Sequence, residues 1–391
     1  MPLFQRRTNS RDDSQVDVDS TGEVKKEKGS WKKPANTAFK QQRLKAWQPI
    51  LTPKVVLPTF FIIGILFAPI GGLLIWGNST VSQVTIPYTN CDQQNSTLSP
   101  LPGAEYKLRS SEDKLTASQP KWSYVPDPAG GGKNGTCTIE FELPADFVKP
   151  VFLYYKLTNF FQNHRRYVQS MNTDQLKGKH VSMSTLSTST CKPLAILDDK
   201  IIYPCGLIAN SLFNDTISSP TLLGSSEVYD FSASNIAWPG ERKKYAVMPG
   251  YNVSEIVPPP NWHDRFPNGY TKENIPNFQE DEHFQNWMRT AGLPTFSKLW
   301  GRNDNNDMVK GSYSITIGMN YPVTEFGGTK SIVISTVAWS GGKNAFLGWA
   351  YVGASGLFVL LAILGTIRHL IKPRRLGDMN LLSWNQPTAI R

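Results

Sequence analysis

The sequence is poor in the residue patterns that carry chemistry. Five histidines occur in 391 residues, none in an H-E-x-x-H arrangement, and no pair of the four cysteines is spaced C-x-x-C. There is no G-x-S-x-G elbow and no Walker sequence, so the zinc-peptidase, serine-hydrolase, dithiol and nucleotide-loop classes lose their signatures. The glycine-rich stretch 130–136 is no phosphate loop, because no Gly-Lys-Ser/Thr closes a G-x-x-x-x-G pattern. It reads as an exposed flexible loop. Internal repeats are absent. So is a cleavable signal peptide: the first apolar run begins at residue 55, exceeds an h-region in length and lacks a small-residue cleavage pattern. That run reads as an uncleaved anchor.

Charge is missing from two stretches. Val55–Trp76 holds 22 residues without a charge, 14 of them Val, Leu, Ile or Phe. As a helix it would measure about 33 Å against a hydrocarbon core of about 30 Å. Insertion of those side chains is worth about −4 to −8 kcal/mol, more than Pro58, Pro69 and the glycines cost. A soluble helix would need a polar face, and this one has none. Ala345–Ile367 is a second uncharged run, with Trp349 and Tyr351 near its start. The absence of intramembrane charge argues against an ion or proton pathway within this chain.

Outside the spans lie a tail at 1–54, a middle segment at 77–344 and a tail at 368–391. The first tail has 12 Lys+Arg against 6 Asp+Glu, the last 5 against 1, and the middle 24 against 24. All of the net charge of +10 therefore flanks the membrane. Excess Lys/Arg marks the cytosolic side, so both tails are expected to be cytosolic and the middle exoplasmic. Two basic tails explain the charge without nucleic acid. All four cysteines, Cys91, Cys137, Cys191 and Cys205, lie in the middle segment, as do N-x-S/T sequons at Asn78, Asn95, Asn134, Asn214 and Asn252. Both fit an oxidising, glycosylating compartment.

Residues 1–30 have almost no large apolar side chains and read as disordered. Lys25, Lys26, Lys28, Lys32 and Lys33 cluster around Trp31, suited either to an anionic leaflet or to plain solvation. Residues 36–49 are amphipathic, with Phe39, Leu44 and Trp47 available to the interface or a partner. Pro49 and Pro53 bar a helix before the span.

The middle segment is long enough for one large domain or two small ones. Its 20 prolines argue against a mainly helical fold. Cys137–Leu143 and Tyr313–Asn320 alternate apolar and polar residues, while Val151–Thr158 and Ser331–Trp339 are β-branched or aromatic runs. All four read as strands. Glu280–Arg289 and Gly206–Phe213 read as short helices, and 258–260 as extended polyproline. The fold class is thus a membrane protein with two transmembrane helices and a large, mainly antiparallel, sandwich-like β ectodomain with short helices.

Few residues invite chemistry. Glu280-Asp-Glu282 and Asp198-Asp199 offer carboxylates, but a helix cap and a turn account for them better. His164, Arg165 and Arg166 form the densest polar cluster. It suits an anion or lipid headgroup, or, the favoured reading, a structural network of buried arginine pairs. In the spans, Gly64, Ala68 and Gly72 make small-xxx-small steps and Ala350, Gly353 and Ala354 a small patch. Such faces let helices approach closely, so packing on a partner is favoured over ordinary glycine enrichment. A membrane-partner subunit is the leading class, and a subunit of a two-span ligand-gated ion channel the alternative.

Several stretches together resemble the ligand-effect-modulator, or cell-division-cycle-protein-fifty, family. They are 36–49, Tyr154-Tyr155, 163–168, 202–211, Phe213-Asn-Asp-Thr216, 258–262, Asn286-Trp-Met-Arg289 and Phe326-Gly-Gly-Thr-Lys330. The chain is similar to fungal members over roughly 34–375. The resemblance implies a noncatalytic accessory (beta) subunit of a type-IV P-type ATPase, a phospholipid flippase, with which it would form a heterodimer. Such a subunit supports exit of the ATPase from the endoplasmic reticulum and lipid transport towards the cytosolic leaflet. The Asp-Lys-Thr-Gly phosphorylation sequence of those ATPases is missing here, so Mg²⁺ and ATP would belong to the partner. N-linked glycans are the only groups expected on this chain.

Phe39, Gln42, Arg43, Leu44 and Trp47 would face the partner on its cytosolic side. Four cysteines allow three pairings. Each sequential pair closes a local loop, and the resemblance implies Cys91–Cys137 and Cys191–Cys205, worth about 4 and 3 kcal/mol by chain entropy. Asn214 is the best glycan acceptor, followed by Asn252, Asn134 and Asn95, whereas Asn78 sits close to the bilayer. Protease added to sealed microsomes should remove epitopes on both tails and spare 77–344; protection of either tail would refute the topology.

Overall fold

A computed structural model describes residues 36–44, 51–127 and 134–373. The basic cluster around Trp31, Trp47 and most of the glycine-rich loop lie outside these residues. The chain divides into two compact units, Met1–Val56 and Leu57–Arg391. In the first, residues 36–44 form a turn closed by Gln41 N to Thr37 O at 2.9 Å and Arg43 N to Ala38 O at 2.7 Å. Gln42 has φ 52°, and all nine residues are exposed.

Two helices are long and apolar enough to cross a membrane: α1, Pro53–Ser79, and α7, Phe346–Ile371. Both exceed the uncharged runs that announced them. Pro53 opens α1, where its missing N–H matters least. At the other end Ser79 Oγ donates to Trp76 O at 2.7 Å and Thr80 Oγ1 to Gly77 O at 2.8 Å, extending the helix past Trp76. α7 runs on through Arg368 and His369, cations suited to a helix C-terminus.

α1 and α7 pack antiparallel along a seam with a seven-residue repeat. Gly64 and Gly71 are buried on one side, and Gly348, Ser355 and Ala362 on the other. Ser355 Oγ donates to Gly64 O at 2.7 Å. Phe67 flanks the seam, 5.1 Å from Tyr351 and 6.2 Å from Phe358. Small residues at this period let the backbones approach.

Between the spans lies the β domain. One sheet has the order β12 (Phe296–Asn303), β6 (Val151–Leu157), β14 (Lys330–Thr336), β1 (Gln83–Pro87), β3 (Glu105–Lys107). A second has the order β10 (Thr221–Leu222), β13 (Gly311–Met319), β5 (Gly135–Leu143), β4 (Lys121–Pro126), β2 (Ser99–Pro100), with β9 (Thr216–Ile217) also on β13. Every pairing in these two sheets is antiparallel. A small third sheet joins β7 (Ile196–Leu197), β8 (Lys200–Ile202) and β11 (Ile256–Val257). Helices α2 (Arg165–Val168), α3 (Thr173–Leu176), α4 (Met183–Thr188), α5 (Leu207–Asn210) and α6 (Glu282–Met288) sit in the connections.

All four expected strands are present, shifted by no more than a few residues at their ends. Ile139, Phe141 and Leu143 of β5 face inward beside Tyr313, Ile315 and Ile317 of β13. Together with Val84, Ile86, Leu153, Tyr155, Ile332 and Ile334 of the first sheet they form one continuous core, as in a sandwich. β14 is buried along its whole length. It lies between β6 and β1, and the chain then leads into α7. Lys343 in that connection donates to Val81 O at 2.7 Å and Leu108 O at 2.9 Å, anchoring the start of the domain beside the span. The expected helix at 206–213 shortens to one turn, because Ser211 Oγ turns back onto Leu207 O at 2.8 Å and Phe213 leaves for the core.

The cysteines pair sequentially. Cys91–Cys137 has Cα atoms 6.0 Å apart and ties the end of the β1 connection to β5, so it bridges the two sheets. Cys191–Cys205 has Cα atoms 5.6 Å apart and closes the loop around the β7–β8 hairpin.

The seam yields a test. A Cβ on Gly71 would meet Val352 Cγ2 at 2.8 Å and Gly348 O at 3.0 Å, whereas one on Gly72 meets nothing within 4 Å. Gly71→Leu should therefore destabilise the paired helices by roughly 1–3 kcal/mol and lower the thermal midpoint of the full chain in mild detergent. Gly72→Leu should leave that midpoint unchanged; equal effects would contradict the seam.

Candidate functional site

Several motif segments of the β domain, scattered over the sequence, meet around one buried ion pair. Along 213–217 the residues alternate inward and outward, so Phe213, Asp215 and Ile217 are buried and Asn214 and Thr216 exposed. Asp215 reaches Lys330, the first residue of β14: Nζ to Oδ2 is 2.8 Å, with the Lys330 and Asp215 side chains 3% and 0% exposed. The carboxylate also accepts Tyr88 OH at 2.9 Å and the backbone amides of Asn320 at 2.6 Å and Tyr321 at 2.7 Å. Lys330 Nζ donates in addition to Tyr321 O at 2.9 Å. Burial, then the Asp215 charge, push the Tyr88 hydroxyl well above its usual pKa, so it remains a donor. Every charge here is paired and hydrogen-bonded, as a buried pair requires.

Aromatic residues of the neighbouring motifs pack around it. Tyr155 stacks on Phe213 with centroids 3.9 Å apart. Trp262 Nε1 donates to Ala209 O at 2.9 Å, and Trp287 Nε1 to Ile208 O at 2.8 Å, so both indoles close on α5. Lys298 of β12 turns into the C-terminal end of α6, donating to Asn286 O at 2.7 Å and Arg289 O at 2.5 Å. A cation suits that helix end, though burial pushes its ammonium down to about 7. None of these groups forms a nucleophile–base pair. Among the described residues no group of three or more His, Cys, Asp or Glu is placed to hold a metal ion.

The other carboxylates do structural work. Asp281 Oδ1 caps α6 at Phe284 N, 2.9 Å, and Glu282 receives the amides of Asn235 and Ala237 at 3.0 and 2.9 Å. Asp198 and Asp199, with φ of 49° and 56°, turn the β7–β8 hairpin.

The expected network of buried arginine pairs does not form. His164, Arg165 and Arg166 are all exposed, and among the described residues neither arginine makes an ion pair. Their neighbours take the inward positions: buried Gln162 accepts Ala291 N at 2.8 Å, and Tyr167 OH meets Ser211 Oγ at 2.8 Å. The cluster follows Leu157, which pairs with Lys330 at the end of β14 remote from α7.

The small residues of the spans split between two roles. Gly64, expected on a partner, is committed to the seam within this chain: a Cβ there would meet Val359 Cγ2 at 2.6 Å. Ala68, Gly72, Ala350 and Gly353 face outward, and Ala354 is half-buried. The sequence signal for this division was the seven-residue spacing of Gly64 and Gly71, and of Gly348, Ser355 and Ala362. Phe39, Gln42, Arg43 and Leu44 are exposed. Of the sequons, Asn95, Asn214 and Asn252 are exposed and Asn134 half-buried, while Asn78 lies in the last turn of α1.

A cleft of about 510 Å³ opens beside the ion pair, and no motif or periodicity announced it. Asn214, Asp264 and Arg265 lie at its mouth, and His283 and Trp300 line it. Trp300 is the extra residue of a β-bulge in β12, a device that re-aims a side chain.

A family model described as LEM3 (ligand-effect modulator 3) family / CDC50 family matches residues 74–375. The chain belongs to this family. Phospholipid-transporting ATPase accessory subunit CRF1 of Saccharomyces cerevisiae is 45% identical over 90% of this chain and 89% of that protein. Accessory subunit LEM3 of the same yeast is 37% identical over 95% and 93%. Cell cycle control protein 50A of Mus musculus is 37% identical over 86% and 90%. The matched span covers the whole β domain and α7, and it starts near the end of α1.

Removing one partner of the buried pair leaves the other uncompensated, which costs about 3–5 kcal/mol. Asp215→Asn and Lys330→Met should each lower the thermal midpoint of the purified chain strongly. The double variant should lose less than the sum of the two; strict additivity would mean that the groups do not interact.

Proposed function

We propose that this chain is a noncatalytic accessory subunit of a phospholipid-transporting P-type ATPase, with which it forms a heterodimer. The observation that carries the reading is end-to-end similarity to proteins named as such subunits, across two spans and the β domain alike. The chemistry agrees: the buried motif residues of the β domain are taken up in holding it together, so the chain acts by binding. In this reading both termini are cytosolic, Mg²⁺ and ATP belong to the ATPase, and N-glycans at Asn214, Asn252, Asn134 and Asn95 decorate the exoplasmic side.

Three surfaces take part. The segment containing Phe39, Gln42, Arg43, Leu44 and Trp47 contacts the ATPase in the cytosol. The outward small residues Ala68, Gly72, Ala350 and Gly353 admit close approach of its membrane helices. The β domain covers its exoplasmic loops. Joint engagement makes each contact effectively intramolecular once another has formed, so each is individually weak. Assembly releases the ATPase from the endoplasmic reticulum and supports transport of phospholipid towards the cytosolic leaflet.

Cells lacking this chain and all its paralogues should lose inward transport of a fluorescent phospholipid analogue. Cys191→Ser with Cys205→Ser, which removes about 3 kcal/mol of cross-link stabilisation, should strand the ATPase in the endoplasmic reticulum. Normal lipid uptake in the deletion strain, with loss of a conductance instead, would replace the subunit reading by the channel reading.

A further inference from the structure

We propose that the cleft beside the Asp215–Lys330 pair is a seat for the first sugars of the N-glycan carried by Asn214. The proposal rests on the occupancy of Asn214 adopted above. The oligosaccharide passes from a dolichyl pyrophosphate donor to Asn214 Nδ2: an N–glycosidic bond forms, dolichyl pyrophosphate leaves and the amide gives up one proton. Docking of the attached sugars in the cleft is noncovalent. Asn214 lines the cleft and is exposed, while Phe213 and Asp215 on either side are fixed in the core. A glycan there is tethered at the cleft mouth on a segment held by its buried neighbours Phe213 and Asp215, so docking costs little entropy.

The lining suits a neutral polyhydroxylated ligand. A volume of about 510 Å³ falls in the roughly 300–1,000 Å³ range of small-molecule sites. Its wall holds His283 and Trp300, tilted by 33° with centroids 4.1 Å apart and both partly exposed, ring surface of the kind that sugar C–H groups cover. His283 Nδ1 is shielded and has no hydrogen-bond partner in the chain. A buried polar atom in that state is costly, and because it is shielded from the cleft it is the partly exposed ring of His283, not Nδ1, that a ligand would meet. Burial lowers the imidazole pKa, keeping the ring neutral. The charges around the cleft do not favour an anion. Asp215 is neutralised by Lys330, Asp281 is held as the α6 cap, and Asp264 and Arg265 at the mouth are of opposite sign. A phospholipid headgroup or free phosphate finds no excess positive charge here.

The test uses the full chain, purified in mild detergent from cells that make high-mannose glycans. Endoglycosidase H cuts between the two core N-acetylglucosamines, and site-resolved mass spectrometry follows each sequon. On the native chain the Asn214 glycan should be cut at least about tenfold more slowly than those at exposed Asn95 and Asn252. Denaturation should abolish the difference. Asp264→Ala at the mouth and His283→Ala in the wall should each accelerate cutting at Asn214 and leave Asn95 and Asn252 unchanged, with the thermal midpoint of Asp264→Ala unchanged. Equal native rates at the three sites would overturn the proposal, as would a protection that neither variant relieves. A bare Asn214 would instead remove the occupancy reading itself.

Discussion

The β domain depends on one buried charge pair. Asp215 and Lys330 lie 115 residues apart in sequence and 2.8 Å apart in space. Asp215 stands at the head of β9, which pairs with β13 of the second sheet, and Lys330 opens the central strand of the first. The pair therefore fixes the register of one sheet against the other, and Tyr88 at the end of β1 closes it from a third direction. Water cannot substitute for either group, so the arrangement is complete or strongly unfavourable. The Cys91–Cys137 bridge makes a second, covalent tie between the same two sheets.

The same economy governs the membrane. Two spans without charge have no electrostatic means of finding each other, and lipid removes the hydrophobic drive between them. Shape takes over. Glycines at 64, 71 and 348 bring the backbones close, and Ser355 adds a hydrogen bond to a carbonyl already within the helix. The inward small residues unite the two ends of the chain into one pair. The outward ones, Ala68, Gly72, Ala350 and Gly353, leave smooth faces on that pair.

Aromatic packing explains why the motif tryptophans and tyrosines carry no chemistry. Three indole N–H groups are matched to backbone carbonyls: Trp262 on Ala209, Trp287 on Ile208 and Trp300 on Ile217. Satisfied donors of this sort define the geometry of a core. Such a core supports a rigid outer surface, and a partner gains affinity from rigidity because less ordering accompanies binding.

Much of this was legible in the residues. The uncharged runs set two spans, because bilayer thickness and side-chain transfer energies are local properties. Period-two alternation set β5 and β13, and β-branched runs set β6 and β14. The carboxylates at 198–199 and 280–282 announced a turn and a cap, since both act within a few residues. Tertiary structure alone decided what lies between distant segments. It paired Asp215 with Lys330, turned Gly64 inward and left Ala68 and Gly72 outside. It placed Arg165 and Arg166 in solvent because Gln162 and Tyr167 took the inner positions, and it opened the cleft where a bulge re-aims Trp300. Charge, hydropathy and periodicity are carried by neighbours along the chain, whereas a partner across the core is chosen by which strands the fold brings side by side.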